Sequence, residues 1–220
     1  MKKRNGLPPA LVLVASLGTS IAAPAPAVRP ASWAAAVTKS GVDNLYRIED
    51  DLYRSAQPTA DGLKELASMG VKAVLDLKGD GDNFSGGSLK LLHVPMTAFG
   101  LRDDKVVAAL KILADPQNRP IVVHCQHGAD RTGAIVALYR VVVQGWTKDE
   151  AIREMNQGGY RHNALFSNLD RYVERADIAA LRKALGITAP AASLAAKSPV
   201  LATAAQAVVT PTILSASAAK

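Results

Sequence analysis

PIVVHCQHGADRTGAIVALYRVVV, residues 120–143, decides the fold. Ile121, Val122 and Val123 form a β-branched run behind a proline, and residues 134–143 make a largely apolar block suited to a buried helix. The residues between them therefore occupy a strand-to-helix turn. Cys125 and Arg131 flank five residues of that turn, and Gly128 lets the backbone curl, so a thiol and a guanidinium surround one concavity at a helix start. Unpaired N–H groups point outward there, the helix dipole adds partial positive charge, and an arginine fork holds two phosphate oxygens at once. The same field favours the thiolate, the nucleophilic form of cysteine.

Upstream, VDNLYRIEDDLYRSAQP (42–58) presents Leu-Tyr-Arg twice, at 45–47 and 52–54. Each copy alternates apolar with polar, and Glu49, Asp50 and Asp51 supply turn residues, so the segment predicts a hairpin of two short strands. Pro58 ends it. Thr59 is placed as an N-cap for a helix over 60–69 that Gly70 stops, and VKAVLDL (71–77) reads as a buried strand. A glycine-marked loop over 78–88 follows, with Asp80 and Asp82 as solvated turn residues, then a strand over 91–95 and a helix over 104–114 capped by Asp103. Past the decisive stretch, Trp146 and Thr147 introduce a helix over 148–155, Gly158 to Tyr160 make a turn, and one helix spans 167–185 with Leu169, Tyr172, Val173 and Leu181 inward. The expected fold is a single α/β domain over 40–186, a mainly parallel sheet flanked by helices with the site at the carboxyl end of a central strand.

Both ends differ from this middle. Lys2, Lys3 and Arg4 precede an apolar stretch over 11–23, too short to span a bilayer but suited to a secretory signal. Ala25-Pro26-Ala27 fits the small-residue cleavage pattern, giving a signal over 1–27 and a lead-in over 28–39; cleavage after Ala22 is a close alternative. The expected location is periplasmic or secreted, without stable membrane insertion once the signal is removed. From 187 to 220 the chain turns to Ala, Pro, Ser and Thr with almost no charge, the composition of a disordered tail. Cys125 is the one cysteine, so an exported chain has no intramolecular disulfide and its thiol is open to oxidation. The net charge of +7 falls by three with the signal, and aromatics are 5%, which gives nucleic-acid binding little support. No His, Asp and Glu cluster has metal-ligand spacing, and no cofactor is called for.

HCQHGADRTG resembles the signature loop of the cysteine-dependent protein tyrosine and dual-specificity phosphatases, matching at His124, Cys125, Gly128, Arg131, Thr132 and Gly133. The likeness extends over about residues 42–160. With its signal, LYR and VVQGW segments the chain looks most like the small bacterial periplasmic members. The resemblance implies hydrolysis of phosphate monoesters through a phospho-cysteine on Cys125, with the substrate a phosphorylated protein. The amides of Gln126, His127, Gly128, Ala129 and Asp130, with Arg131, would hold the phosphate. Thr132 would point its hydroxyl at the sulfur, and His124 would order the loop by hydrogen bonding. The family's general acid is an aspartate on a separate loop. The corresponding segment here is PMTAFG (95–100), which holds no acid, so Asp103 and Asp104 become the candidates.

Three readings stay open on the residues alone. The first is a phosphatase for phosphotyrosine, then phosphoserine or phosphothreonine. The second is a phosphate-binding module without turnover, and the third an inositol phosphate or phosphoinositide phosphatase. Polyanionic substrates favour lysines inside the loop, and its interior has none, which argues for protein substrates.

Overall fold

In a computed structural model the described residues are 29–81 and 87–188. The expected signal over 1–27 and most of the expected tail over 187–220 therefore lie outside them, as does Asp82 in the 78–88 loop. Six strands, β1 (Ala35–Ala36), β2 (Tyr46–Glu49), β3 (Leu52–Ser55), β4 (Ala73–Asp76), β5 (Lys90–His93) and β6 (Ile121–His124), form one sheet in the order β1-β2-β3-β6-β4-β5. The β1–β2 and β2–β3 pairs are antiparallel, while the β3–β6, β6–β4 and β4–β5 pairs are parallel. The expected mainly parallel α/β sheet is thus present. Its first strand, however, falls in the lead-in before residue 40, where Ala35 and Ala36 pair with Arg47 and Tyr46.

β6 lies at the centre because both of its faces are apolar. Ile121 and Val123 enter the larger core and Val122 the smaller one on the other side. A strand covered on both faces reads as a continuous apolar run, and VKAVLDL and PIVVH show that pattern. The smaller core is closed by α1 (Ala60–Ser68), whose N-cap Thr59 accepts from the Gly62 N–H at 3.0 Å. The larger core lies under α2 (Asp103–Ala114), α3 (Asp130–Val142), α4 (Lys148–Gln157), α5 (Ser167–Arg175) and α6 (Ile178–Ala184). α3 is buried at every position except Arg131, and each large apolar side chain it buries stabilises the fold by roughly 1.5–3 kcal/mol. Gly133 lets α4 approach, since a Cβ there would lie 2.9 Å from Met155 Cγ.

Two expectations are corrected. The helix drawn over 167–185 is two helices, because the chain turns extended at Ala176 and Asp177 and Asp177 caps α6 by accepting from the Ala180 N–H at 2.9 Å. The apolar spacing of Leu169, Val173 and Leu181 runs across the break and hides it. Asp103 does not cap α2 either. Arg102 takes that place without a side-chain bond, and Asp103 and Asp104 lie in the first turn, where their charge suits the helix dipole.

Candidate active site

β6 ends at His124 and α3 begins at Asp130, so Cys125 opens a tight loop at the carboxyl end of the central strand and is itself 2% exposed. Gly128 adopts φ +66°, and a Cβ there would meet Ser55 O at 2.2 Å. Only glycine fits. The carbonyls around the loop are held from outside. The Leu77 N–H donates to His124 O at 2.9 Å, the Gln57 N–H to Gln126 O at 3.2 Å and Asn44 Nδ2 to His127 O at 2.9 Å. Arg54 Nη2 donates to Gly128 O at 2.7 Å. Among the described residues no amide from Gln126 to Arg131 donates to another group of the protein. With the carbonyls engaged elsewhere, these N–H groups remain for an anion beside Cys125.

The side chains named from the sequence divide into four groups. Arg131 is half-buried, and its Nη1 donates to Met96 O at 3.3 Å, which ties the guanidinium to the segment after β5. Thr132 and His124 are fully buried. The Thr132 hydroxyl makes no hydrogen bond among the described residues, whereas His124 Nδ1 lies 3.3 Å from Cys125 O and 3.9 Å from Asp76 Oδ1. Gln126 and His127 are exposed and line a cleft of about 550 Å³ together with Asn44, Asp130, Arg161 and Phe166. The acid candidates have their partners outside the loop. Asp103 accepts from the Tyr172 hydroxyl at 2.5 Å, and Asp104 pairs with Arg102 at 2.9 Å, which holds its carboxyl below the usual carboxylate range.

Asp130 carries more than the backbone amide assigned to it. Its Oδ1 accepts from the Asn163 N–H at 2.9 Å and lies 3.0 Å from His162 Nδ1, a contact better described as an ion pair than as a well-aligned hydrogen bond. Burial pushes the Asp130 carboxyl up, but His162 and the Asn163 N–H outweigh it and leave the carboxyl below its ordinary value. His162 is held above its own ordinary value, chiefly by Asp130, against burial and with help from Asp170 at 3.6 Å.

A buried polar cluster behind the loop was not visible in the sequence. Arg54, 1% exposed, stacks over the Tyr160 ring at 3.7 Å. The Tyr160 hydroxyl donates to Glu154 Oε1 at 3.0 Å, and Arg140 holds both Glu154 oxygens at 2.8 Å. The Ala34 N–H also donates to Glu154 Oε1, at 2.7 Å, which fastens the lead-in to the back of the site. The repeated Leu-Tyr-Arg was the one available hint.

The family of DSP-PTPase phosphatases fused to NAD+ kinase matches residues 28–171. This chain belongs to the dual-specificity phosphatase family. It is 38% identical over 184 residues to the dual specificity protein phosphatase TpbA of Pseudomonas aeruginosa, covering 80% of this chain and 84% of TpbA. The crystal structure of a cysteine-to-serine form of TpbA in complex with pTyr superposes with a TM-score of 0.64 at 36% identity, covering 72% of this chain and 98% of that one. Inositol diphosphatase DSP3 of Arabidopsis thaliana is 29% identical over 158 residues, covering 64% of this chain and 74% of DSP3. The phosphatase is thus a cysteine-dependent enzyme of the tyrosine and dual-specificity type. No helix among its described residues is long and apolar enough to cross a membrane.

Proposed function

We propose that this phosphatase hydrolyses phosphotyrosine in proteins, and phosphoserine or phosphothreonine second, through a phospho-cysteine on Cys125. The observation that carries this is the loop whose carbonyls are tied outward, leaving a ring of amides beside a buried cysteine and an arginine. The Cys125 thiolate attacks phosphorus, the bond from phosphorus to the ester oxygen breaks, and that oxygen leaves with a proton. Water then attacks the phospho-cysteine, and the thiolate leaves as inorganic phosphate forms. The amides and the Arg131 fork hold the three equatorial oxygens, whose charge is spread in the transition state. Thr132 directs its hydroxyl to the sulfur as thiolate is expelled. Asp103 or Asp104 supplies the leaving-group proton, a step worth roughly 10²–10⁴-fold.

The basic start, apolar run and small-residue site of the first 27 residues support export, with the mature chain beginning near Ala23 or Val28. The kinship with an inositol diphosphatase makes inositol phosphates the competing substrates. The test is the signal-less protein assayed on a phosphotyrosine peptide, a phosphoserine peptide and an inositol phosphate panel. Phosphotyrosine is expected to be hydrolysed fastest, Cys125→Ser to bind vanadate without turnover, Arg131→Lys to lose both, and EDTA to change nothing. Turnover by Cys125→Ser overturns the mechanism, and a preference for inositol phosphates overturns the substrate class. Asp103→Asn and Asp104→Asn separate the acids, because loss of the proton donor slows phenyl phosphate far more than nitrophenyl phosphate.

A further inference from the structure

Arg54 belongs to a repeated tripeptide that the reaction described above does not use, and its surroundings are unusual for a buried cation. It is 1% exposed, yet among the described residues no carboxylate lies within ion-pair distance of it. The nearest acid along the cluster, Glu154, is reached through the Tyr160 hydroxyl and is already held at both oxygens by Arg140. Two buried arginines thus share one buried glutamate. Such a charge is stable only where dipoles and an anion compensate it. The dipoles are the carbonyls of Gly128 at 2.7 Å and Ala129 at 3.4 Å and the face of Tyr160. Beyond Tyr160 and Glu154, the remaining group that can offer it negative charge is Cys125.

We propose that Arg54 is a positioning residue for Cys125, a second guanidinium on the far side of the loop from substrate. It draws the Gly128 and Ala129 carbonyls backward so that the loop amides face the anion, and it supplies fixed positive charge to the thiolate. Arg131 serves the phosphate from the front, and Arg54 serves the sulfur and the loop from behind. The electrostatic surroundings agree. Burial pulls Arg54 below its ordinary value, and Tyr160, Glu154 and Cys125, in that order, oppose the pull. A guanidinium stays charged regardless. A lysine keeps the charge but cannot bridge two carbonyls while stacking on a ring. The inference rests on Cys125 being the nucleophile, but its test needs no substrate.

Cys125 is the one cysteine in the chain, so alkylation by iodoacetamide reports on it alone. In Arg54→Met the alkylation rate at pH 6 is expected to fall roughly tenfold or more, as loss of an adjacent opposite charge dictates, while the plateau rate at high pH holds. Arg54→Lys is expected to keep most of the rate at pH 6 and to lose kcat on nitrophenyl phosphate with little change in KM. Arg47→Met serves as the control and should alter neither. A folded Arg54→Met that alkylates like wild type at every pH overturns the proposal. If Arg54→Met does not fold, Arg54→Lys decides, and a wild-type kcat in that variant overturns the bridging role. Turnover by Cys125→Ser would remove the catalytic reading while leaving the alkylation result standing, so the two failures are distinguishable.

Discussion

Leu45-Tyr46-Arg47 and Leu52-Tyr53-Arg54 are the same three residues seven positions apart, and they meet opposite fates. Both leucines are buried, Leu45 in the smaller core and Leu52 in the larger. Arg47 is exposed and pairs loosely with Asp50 at 3.5 Å, whereas Arg54 is buried against the loop. The reason is register. β2 and β3 are antiparallel with Tyr46 opposite Arg54 and Arg47 opposite Tyr53, so the two arginines lie on opposite faces of the sheet. Tyr46 and Arg54 share the face on which Tyr160 sits, one edge-on at 4.7 Å between ring centres and the other stacked. β3 also borders β6, pairing Ser55 with His124, which brings Arg54 to the end of the strand where the cysteine emerges. A motif's chemistry is set here by which strand carries it and by the parity of the turn between the copies.

The largest test of that contrast removes the anchor behind the buried copy. Glu154→Ala leaves the Arg140 charge buried and unpaired and frees the Tyr160 hydroxyl, so urea denaturation is expected to show a loss of about 3–5 kcal/mol. A loss below about 1 kcal/mol would mean that water reaches the cluster and that the two arginines differ less than their exposure implies.

A smaller effect comes from the third cation near the loop, which unlike the arginines titrates. His162 is raised above its ordinary 6.5 by Asp130, so its contribution to stability is full below about pH 6.5 and is lost as the pH rises through the higher folded value. Asp130 is lowered from 3.8, so its contribution is present above that pH and is lost as the pH falls further. Their pairing is therefore strongest between about pH 4 and 6.5. His162→Gln should lower Tm clearly at pH 5.5 and much less at pH 8.5, and an equal loss at both would assign His162 to packing alone.

The smallest effect belongs to the exposed copy. Arg47→Ala should change stability by no more than about 0.5 kcal/mol and leave kcat/KM unaltered, because its ion pair is solvated. A measurable loss of activity would show that the two copies are not functionally separate.

What the sequence made readable was whatever short-range pattern determines. The cysteine loop between an apolar strand and an apolar helix, the hairpin, and the capping threonines Thr59 and Thr147 all follow from neighbours within a few positions. What it concealed depends on register and distant partners. Arg54 looked like any solvent-facing strand residue, because period-two alternation does not say which strand will be central. Glu154 drew no reading from the sequence, because its partners Arg140 and Tyr160 come from other segments. Asp130 was assigned its amide and, failing Asp103 and Asp104, the role of acid, but not its ion pair, because its partner, His162, lies 32 positions later on a glycine-bounded turn. Asp177 could have been recognised as a cap, but the apolar spacing around it favoured one long helix.

The pairing of the loop with remote segments also shapes how the enzyme comes into being. Arg54 and Gly128 are 74 residues apart, and Asn44 reaches Tyr160 across 116. At the usual pace of synthesis the interval between those last two residues is roughly 6–23 s. Throughout it the growing chain already holds the arginine, and later the thiol, without the turn that closes the back of the loop. Truncations that remove the turn at Tyr160, or the core helices α5 and α6 beyond it, should therefore be inactive, because the anion nest is completed by segments made after its own residues.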